Sequence, residues 1–408
     1  MAQPGWNVVM SYMPSALMQP DPTPAAPPAF RLGYRPILDG FRGIAVLLVL
    51  VYHLDGYFNL GHGVLMAGYI GVDLFFALSG FLITALLIQE HETTGSIRFL
   101  GFYARRMLRL APGLALVLAA CLLLIPLAAS PEEAAGVRTS VLLSACYANN
   151  LFWLFPNTSP SLVHTWTLAV EEHYYLVWPL LLWAMLRLRL GRRAVVVLLL
   201  MGMAASALVR VTLTMKWSLY AGGMLLPCRA DALLGGCLVA FVATWNRLPN
   251  VGRSHRVLQA CGGIAAAVLL LLAYLAPQWS PFAVKAGYSL TAVTCAVMVA
   301  ALLSSPPRFM RKVLTAPSLV WTGRVSYALY LWHWPVIVAV PKLWSYWLPE
   351  APLPRWPQLA VSVGLSFLLA GLTHHAIERR CQRLKDRLTK VHAPLEPVPP
   401  VVEPRVAA

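Results

Sequence analysis

The sequence predicts an all-α, polytopic integral membrane protein with about ten transmembrane helices and both termini in the cytoplasm. Of its 408 residues, 59% are hydrophobic and only 12% are charged, whereas a soluble domain carries about 25% charged residues. The apolar residues fall in long runs separated by short basic connections. A helix needs about 20 apolar residues to cross a bilayer, and these runs are of that length.

The two ends of the chain lack this pattern. Residues 1–34 contain prolines at positions 20, 22, 24, 27 and 28, which predicts a flexible tail. No basic stretch precedes an apolar core there, so we expect no cleaved signal peptide. Residues 381–408 begin basic and become Pro-rich, which predicts a cytoplasmic tail. The membrane domain is therefore expected at residues 35–380.

Between the tails the apolar runs predict ten spans in order. They lie at about 42–58, 69–88, 110–129, 166–186, 194–213, 224–244, 257–276, 287–304, 317–340 and 357–377. A half-apolar segment, Val141 to Phe155, is also predicted as a re-entrant or interfacial helix in the connection after the third span.

Basic residues concentrate in alternate connections, which sets the orientation. The first such connection is predicted to hold Arg98, Arg105, Arg106 and Arg109. Because Lys and Arg mark cytoplasmic connections, the alternation places both termini in the cytoplasm. The basic residues behind the formal charge of +16 therefore indicate membrane topology rather than nucleic-acid binding. The seven cysteines show no paired spacing, so neither a disulfide framework nor a metal site is expected.

The first span carries two polar residues, Arg42 and His53, with apolar residues between them. Eleven helical residues advance roughly 16 Å and make about three turns, so the two side chains share nearly one face. If Arg42 marks the membrane edge, His53 lies near the midplane, where an ionisable residue is a functional hypothesis. The alternative is that His53 only bonds a neighbouring helix and Arg42 only reaches head groups.

Six separated stretches of the sequence resemble the acyltransferase family 3 membrane proteins, in the family's order. These stretches are Leu38–Ala45 with His53, Gly71–Ile83, Phe102–Pro112, His164–Glu172, Arg229–Leu233 and Gly323–His333. The resemblance covers about residues 35–380. The sequence departs from the family pattern at His173 and Tyr174, after the Glu pair, and at Glu378–Arg380.

The resemblance implies an acyltransferase that moves an acyl group, by family habit acetyl, from acyl-coenzyme A to a hydroxyl of a sugar. The expected location is the bacterial cytoplasmic membrane, and acyl-coenzyme A is the expected co-substrate. The acceptor is left open among a cell-surface polysaccharide, a lipopolysaccharide sugar, peptidoglycan and a secreted glycoside. Some members carry an additional extracellular hydrolase-like domain; none is seen here, so we expect transfer to finish in the membrane unit or with a partner.

Acyl transfer to an alcohol needs a base for the hydroxyl proton. His53 is the natural candidate because an imidazole titrates near neutrality. Asp39 lies on the wrong side of Arg42 to reach it, and Glu171 is the most plausible carboxylate to orient the ring, as in other His–carboxylate pairs. The alternative for Glu171 is a buried ion pair with Arg229 or Arg324. His333, between two tryptophans, is either functional or an interfacial packing residue.

A coenzyme A donor also needs an anchor for its phosphates. Arg105, Arg106 and Arg109 are the candidates, because guanidinium groups bind phosphate through forked donors. Arg42 lies near the same surface and could also reach the donor. The alternative is that these arginines only mark topology or hold anionic lipid.

A transporter for a glycan or a lipid-linked substrate is the alternative function, because it would also place rare charges at the midplane. Such proteins tend to show paired half-repeats, and no second copy of the Arg42-to-His53 pattern is found in the later spans. A purely structural subunit is disfavoured by the number of polar residues within the spans. The sequence therefore favours acyl transfer.

Overall fold

All regular structure in the described residues is helical. The computed structural model describes residues 30–61, 68–155, 157–351 and 354–383, and none of these residues lies in a strand. This confirms the predicted all-α class. Most of the two predicted tails lies outside the described residues. At the boundary, Leu32 is buried, so the last residues of the segment predicted as an N-terminal tail pack onto the membrane domain.

Fourteen α-helices occur in the described residues. They are α1 (Pro36–Phe58), α2 (Ile70–Thr94), α3 (Phe99–Leu124), α4 (Pro131–Ala145), α5 (Trp166–Arg187), α6 (Arg192–Lys216), α7 (Leu219–Met224), α8 (Leu226–Thr244), α9 (Gly252–Leu275), α10 (Tyr288–Leu303), α11 (Arg308–Leu314), α12 (Pro317–Arg324), α13 (Ser326–Trp347) and α14 (Arg355–Thr373). The described residues also contain the 3₁₀ segments Ile125–Ala128, Asn149–Leu154 and Pro160–Thr165 and the π-helical segments Ala283–Gly287 and His374–Glu378.

Eight helical segments of the described residues are long and apolar enough to cross a membrane, which makes the protein a polytopic membrane protein. They are Pro36–Phe58, Ile70–Thr94, Phe99–Leu127, Arg192–Lys216, Leu219–Thr244, Gly252–Leu275, Ala283–Leu303 and Arg355–Arg383. The other two predicted spans correspond to α5 and α13, each of 22 residues. Because these two helices are richer in polar and aromatic side chains, they are not among the eight segments. A total of ten spans and a cytoplasmic location of both termini therefore stay predictions.

Two predicted boundaries are wrong. The arginines at positions 105, 106 and 109 lie inside α3, which begins at Phe99, and not in a connection. The apolar residues between them continue the helix without a break. The span predicted at 317–340 is divided at Val325 into the short α12 and the longer α13. The division lets α12 pack along the start of α1.

The connection from α3 to α5 is folded and contacts both α3 and α13. Helix α4 begins with a capping box, in which the Ser130 side chain accepts from the Glu133 amide and Glu133 accepts from the Ser130 amide. The segment predicted as one helix, Val141 to Phe155, is broken at Tyr147, whose φ is +51°. Asn149 then donates to Leu162 O at 2.6 Å and to Thr165 Oγ1 at 2.9 Å. These bonds fix the 3₁₀ turn that carries His164.

Helices α2 and α8 form the centre of the bundle. They approach closely because a Cβ on Gly80 would lie 2.0 Å from Leu233 O and one on Gly236 would lie 2.0 Å from Ala77 O. Small residues at helix contacts allow such packing in membranes. Asp73 of α2 pairs with Arg229 of α8. Buried charges need partners, so this pair explains two of the rare polar residues in the spans.

A second buried pair joins α8 to α6. Arg210 bonds Asp231 at 2.7 Å, and its side chain is fully buried. Asp231 also accepts from Ser289 at 3.0 Å. These charged residues therefore hold α6, α8 and α10 together and are not available to a ligand.

Candidate active site

Helix α1 carries two of the predicted site residues, Arg42 and His53, eleven residues apart. Arg42 lies one turn after Asp39, near the start of the helix, and donates to Ser326 Oγ at 3.1 Å. Ser326 is the first residue of α13. Asp39 pairs instead with Arg324 at 3.7 Å, in keeping with its position away from His53.

His53 contacts a second histidine. Its Nδ1 lies 3.0 Å from Val49 O and 3.0 Å from His333 Nε2. His333 Nδ1 lies 2.7 Å from Tyr330 O, and a carbonyl oxygen only accepts, so this nitrogen carries the hydrogen of the neutral ring. His333 Nε2 is then an acceptor, and the hydrogen between the rings belongs to His53 Nδ1. The unprotonated nitrogen of His53 is therefore Nε2.

A third histidine and a tyrosine complete the cluster. The ring centroids of His164 and His333 are 5.3 Å apart, and His164 Nε2 lies 3.3 Å from Leu331 O. Tyr330 donates its hydroxyl hydrogen to His164 O at 2.6 Å, and the Thr167 hydroxyl lies 2.6 Å from the same tyrosine oxygen. Helix α13 thus supplies His333 and Tyr330 to a network that spans α1, α5 and the 3₁₀ turn before it.

A cavity of about 230 Å³ lies toward the Arg42 end of α1, and we call it the arginine cavity. Its polar lining residues are Arg42, Ser79, Arg106, Arg109, Thr167, Glu171, Tyr175, Ser326, Tyr327 and Tyr330. A second cavity of about 380 Å³ shares Arg42 and Arg109 with it, and we call it the basic vestibule. The vestibule is lined by Tyr34, Asp39, Arg42, Arg109, Trp321, Arg324, His374, His375, Arg379 and Gln382.

A cavity of about 410 Å³ lies at the His53 end of α1, and we call it the histidine cavity. Its lining consists of Tyr52, His53, Val72, Phe152, Thr158, Ser159, Pro160, Val163, His164, Trp166, Thr167, Tyr220, Met224, Gln278, Trp279, Tyr330 and Trp334. Val72, Thr167 and Tyr330 line the arginine cavity as well. These three residues form a shared wall, so the two cavities are neighbours inside the bundle.

The structure does not bring Glu171 to His53. Glu171 lines the arginine cavity and accepts from Ser79 Oγ at 2.7 Å, whereas His53 lines the histidine cavity on the other side of the shared wall. The side chain that contacts His53 Nδ1 is His333 instead. The alternative ion pairs are not formed either, because Arg229 pairs with Asp73 and Arg324 with Asp39.

The three predicted phosphate-binding arginines have different surroundings. Arg105 pairs with Glu90 at 3.0 Å and lines neither basic cavity. Arg106 lines the arginine cavity but lies 3.4 Å from Glu172 and stacks on the Tyr175 ring. Arg109 lines both cavities and makes no ion pair with a described residue. Arg109 and Arg42 are therefore the cations at the passage between the cavities.

Sequence reasoning did not assign roles to several residues of these cavities. His164 and Tyr330 belong to stretches that carry the family resemblance, which was their only signal. His333 was considered, but its function was left open against a packing role. Arg324 was considered only as an ion-pair partner of Glu171. No group of three or more His, Cys, Asp or Glu side chains in the described ranges has an arrangement suited to a metal ion.

Comparison with known proteins gives a family match over most of the chain. A family model described as an acyltransferase domain matches residues 35–375. The peptidoglycan O-acetyltransferase OatA of Listeria monocytogenes is 32% identical over 360 residues, which are 85% of this chain and 55% of that protein. The putative peptidoglycan O-acetyltransferase YrhL of Bacillus subtilis is 32% identical over 363 residues, 85% of this chain and 54% of that protein.

A putative O-acetyltransferase of Staphylococcus aureus is 28% identical over 366 residues, 85% of this chain and 57% of that protein. The chain thus spans about half the length of the curated relatives it matches. No solved structure matches it.

Proposed function

Because the chain belongs to the acyltransferase family whose domain model spans residues 35–375, we propose that it transfers an acetyl group from acetyl-coenzyme A to a hydroxyl of a cell-wall glycan. The names of its relatives support the acetyl group and the glycan acceptor. The observation that carries the proposal is the shared wall. It places a cavity lined by unpaired arginine beside a cavity lined by a histidine whose Nε2 is unprotonated.

The basic vestibule and the arginine cavity suit a coenzyme A donor. Arg109 has no ion-pair partner among the described residues and is free to bind a phosphate, and Arg42 faces the same passage. Trp321 and Tyr34 offer aromatic faces on which the adenine ring of coenzyme A can stack. Guanidinium groups beside aromatic rings are suited to binding a nucleotide. The smaller arginine cavity, with its apolar residues Val72, Phe75 and Phe76, would take the pantetheine arm.

His53 would act as the general base. Its Nε2 takes the proton of the acceptor hydroxyl while that oxygen bonds to the thioester carbonyl carbon. The carbon–sulfur bond then breaks, and the thiolate takes the proton back from Nε2. Throughout, Nδ1–H of His53 is held by Val49 O and His333 Nε2, which keeps the ring in the tautomer that the base requires.

The test is a transfer assay with the purified chain in lipid nanodiscs. Labelled acetyl-coenzyme A and an oligosaccharide of five N-acetylglucosamine units are supplied, and the acetylated sugar is detected by mass spectrometry. We expect product from the native chain and at least a hundredfold less from His53→Ala, the range of general-base effects. Equal rates from a folded His53→Ala variant would remove His53 as the base, and no transfer by the native chain to any hydroxyl would remove the function.

A further inference from the structure

The histidine cavity has an unusually aromatic lining for a cavity that also holds polar side chains. Tyr52, Phe152, Trp166, Tyr220, Trp279 and Trp334 contribute rings. Trp279 and Tyr220 meet edge to face with centroids 5.1 Å apart. Gln278, Ser159 and Thr158 add polar groups, and Tyr52 donates to Gln278 Oε1. Binding sites combine such apolar walls with a few polar groups that orient the ligand.

The proposed base belongs to the same cavity. His53 lines it, and the nitrogen of its ring that does not contact Val49 O or His333 is Nε2. A ligand hydroxyl in the histidine cavity can therefore give its proton to His53 Nε2.

From these observations we infer that the histidine cavity is the acceptor subsite and that it binds one pyranose ring of a glycan. The inference rests on the function proposed above and adds the residues that recognise the acceptor. The C–H faces of a pyranose pack on Trp279 and Tyr220, because aromatic faces are electron-rich. The other hydroxyls of the same sugar meet the polar lining residues Thr158, Ser159 and Gln278. The site thus selects a polyol ring over a simple alcohol.

Binding can be measured without turnover. The native chain in nanodiscs is mixed with the labelled pentamer of N-acetylglucosamine in the absence of donor, and the dissociation constant is determined. Trp279→Leu and Tyr220→Leu each remove one ring and should weaken binding about tenfold. Trp356→Leu is the matched control, because Trp356 is exposed and lies outside the cavity.

Competition identifies the ligand class. N-acetylserinamide, which stands for a protein hydroxyl, should not displace the oligosaccharide at equal concentration. The inference is overturned if Trp279→Leu and Trp356→Leu bind the oligosaccharide as tightly as the native chain, or if N-acetylserinamide competes equally well.

The acceptor subsite and the proposed function can be refuted independently of each other. Tight binding that depends on Trp279, without acetyl transfer, would keep the subsite and refute the transferase. Transfer to the oligosaccharide with equal acceptor KM in the native chain and Trp279→Leu would keep the transferase and refute the subsite.

Discussion

At the scale of single residues, the contact between His53 and His333 decides how the proposed base is oriented. His333→Leu fills similar space and removes the acceptor for His53 Nδ1–H, so the ring can adopt the wrong tautomer. We expect kcat to fall about a hundredfold or more with donor KM unchanged. His333→Gln keeps both an acceptor for His53 and a donor for Tyr330 O, and it should retain most of the activity. If Leu and Gln variants were equally active, His333 would be a packing residue only.

Two arginines four residues apart provide a matched test of the donor site. Arg109→Ala removes a cation of the passage between the basic vestibule and the arginine cavity. A lost charge-assisted hydrogen bond costs about 1.5–3 kcal/mol, so donor KM should rise at least tenfold. Arg105→Ala removes an equal charge that is already paired with Glu90, and donor KM should change less than twofold. Equal effects of both variants would mean that only the overall positive potential attracts the donor.

The sequence could locate some of these residues and not others. Arg42 and His53 share one helix, so their common face follows from helical geometry, and both line cavities of the site. The separation of Arg105 from Arg109 was not predicted: the sequence analysis grouped them as phosphate-binding residues, whereas Arg105 pairs with Glu90. His333 meets His53 across 280 residues. No local pattern encodes that contact, so the sequence predicted Glu171 as the partner of His53 instead.

At the scale of helices, the close packing of α2 on α8 depends on glycine. An alanine at position 236 would place Cβ 2.0 Å from Ala77 O, so the helices must separate. Overpacking of this kind costs about 1–3 kcal/mol, and Gly236→Ala should lower the thermal unfolding midpoint of the detergent-solubilised chain. At Gly263 of α9, a Cβ meets no atom within 4 Å, so Gly263→Ala should leave the midpoint unchanged or raise it. A native midpoint for Gly236→Ala would show that the two helices tolerate separation.

Helix boundaries show a second limit of sequence reasoning. Hydropathy finds where a chain is apolar, and eight of the ten predicted spans match segments that the structure also marks as able to cross a membrane. It does not find the break at Val325, because α12 and the start of α13 are both apolar enough to read as one run. Gly323 marks the site in retrospect, since a Cβ there would lie 1.8 Å from Asp39 O. That close contact with α1 fixes α12 as a separate element.

At the scale of the whole molecule, the predicted orientation can be tested by labelling single cysteines. Ser96 and Ser254 are exposed and lie in connections predicted to be cytoplasmic, and Glu132 is exposed at the opposite end. In a cysteine-free background, which removes the exposed Cys146 and Cys261, Glu132→Cys should react with an impermeant reagent outside intact cells. Ser96→Cys and Ser254→Cys should be protected. Outside labelling of position 254 would refute the ten-span prediction.

The arrangement of the cavities predicts that donor and acceptor reach the wall from opposite ends. The basic vestibule and arginine cavity lie toward the Arg42 end, and the histidine cavity lies toward the His53 end, with Val72, Thr167 and Tyr330 between them. In that arrangement only the acyl end of the donor needs to pass Tyr330. The charged nucleotide, for which a bilayer is a barrier, stays on the side where the arginines lie.

Oriented vesicles test this arrangement directly. Acetyl-coenzyme A is supplied only at the face that carries the Arg42 end, and the N-acetylglucosamine pentamer only at the opposite face. Product should form with the native chain, should fall with Arg109→Ala, and should return when the donor concentration is raised, because that change weakens donor binding alone. Exchange of the two substrates between the faces should give no product. If product forms only when both substrates share the Arg42 face, the acceptor enters beside the donor, and transfer through the shared wall is refuted while the role of His53 stands.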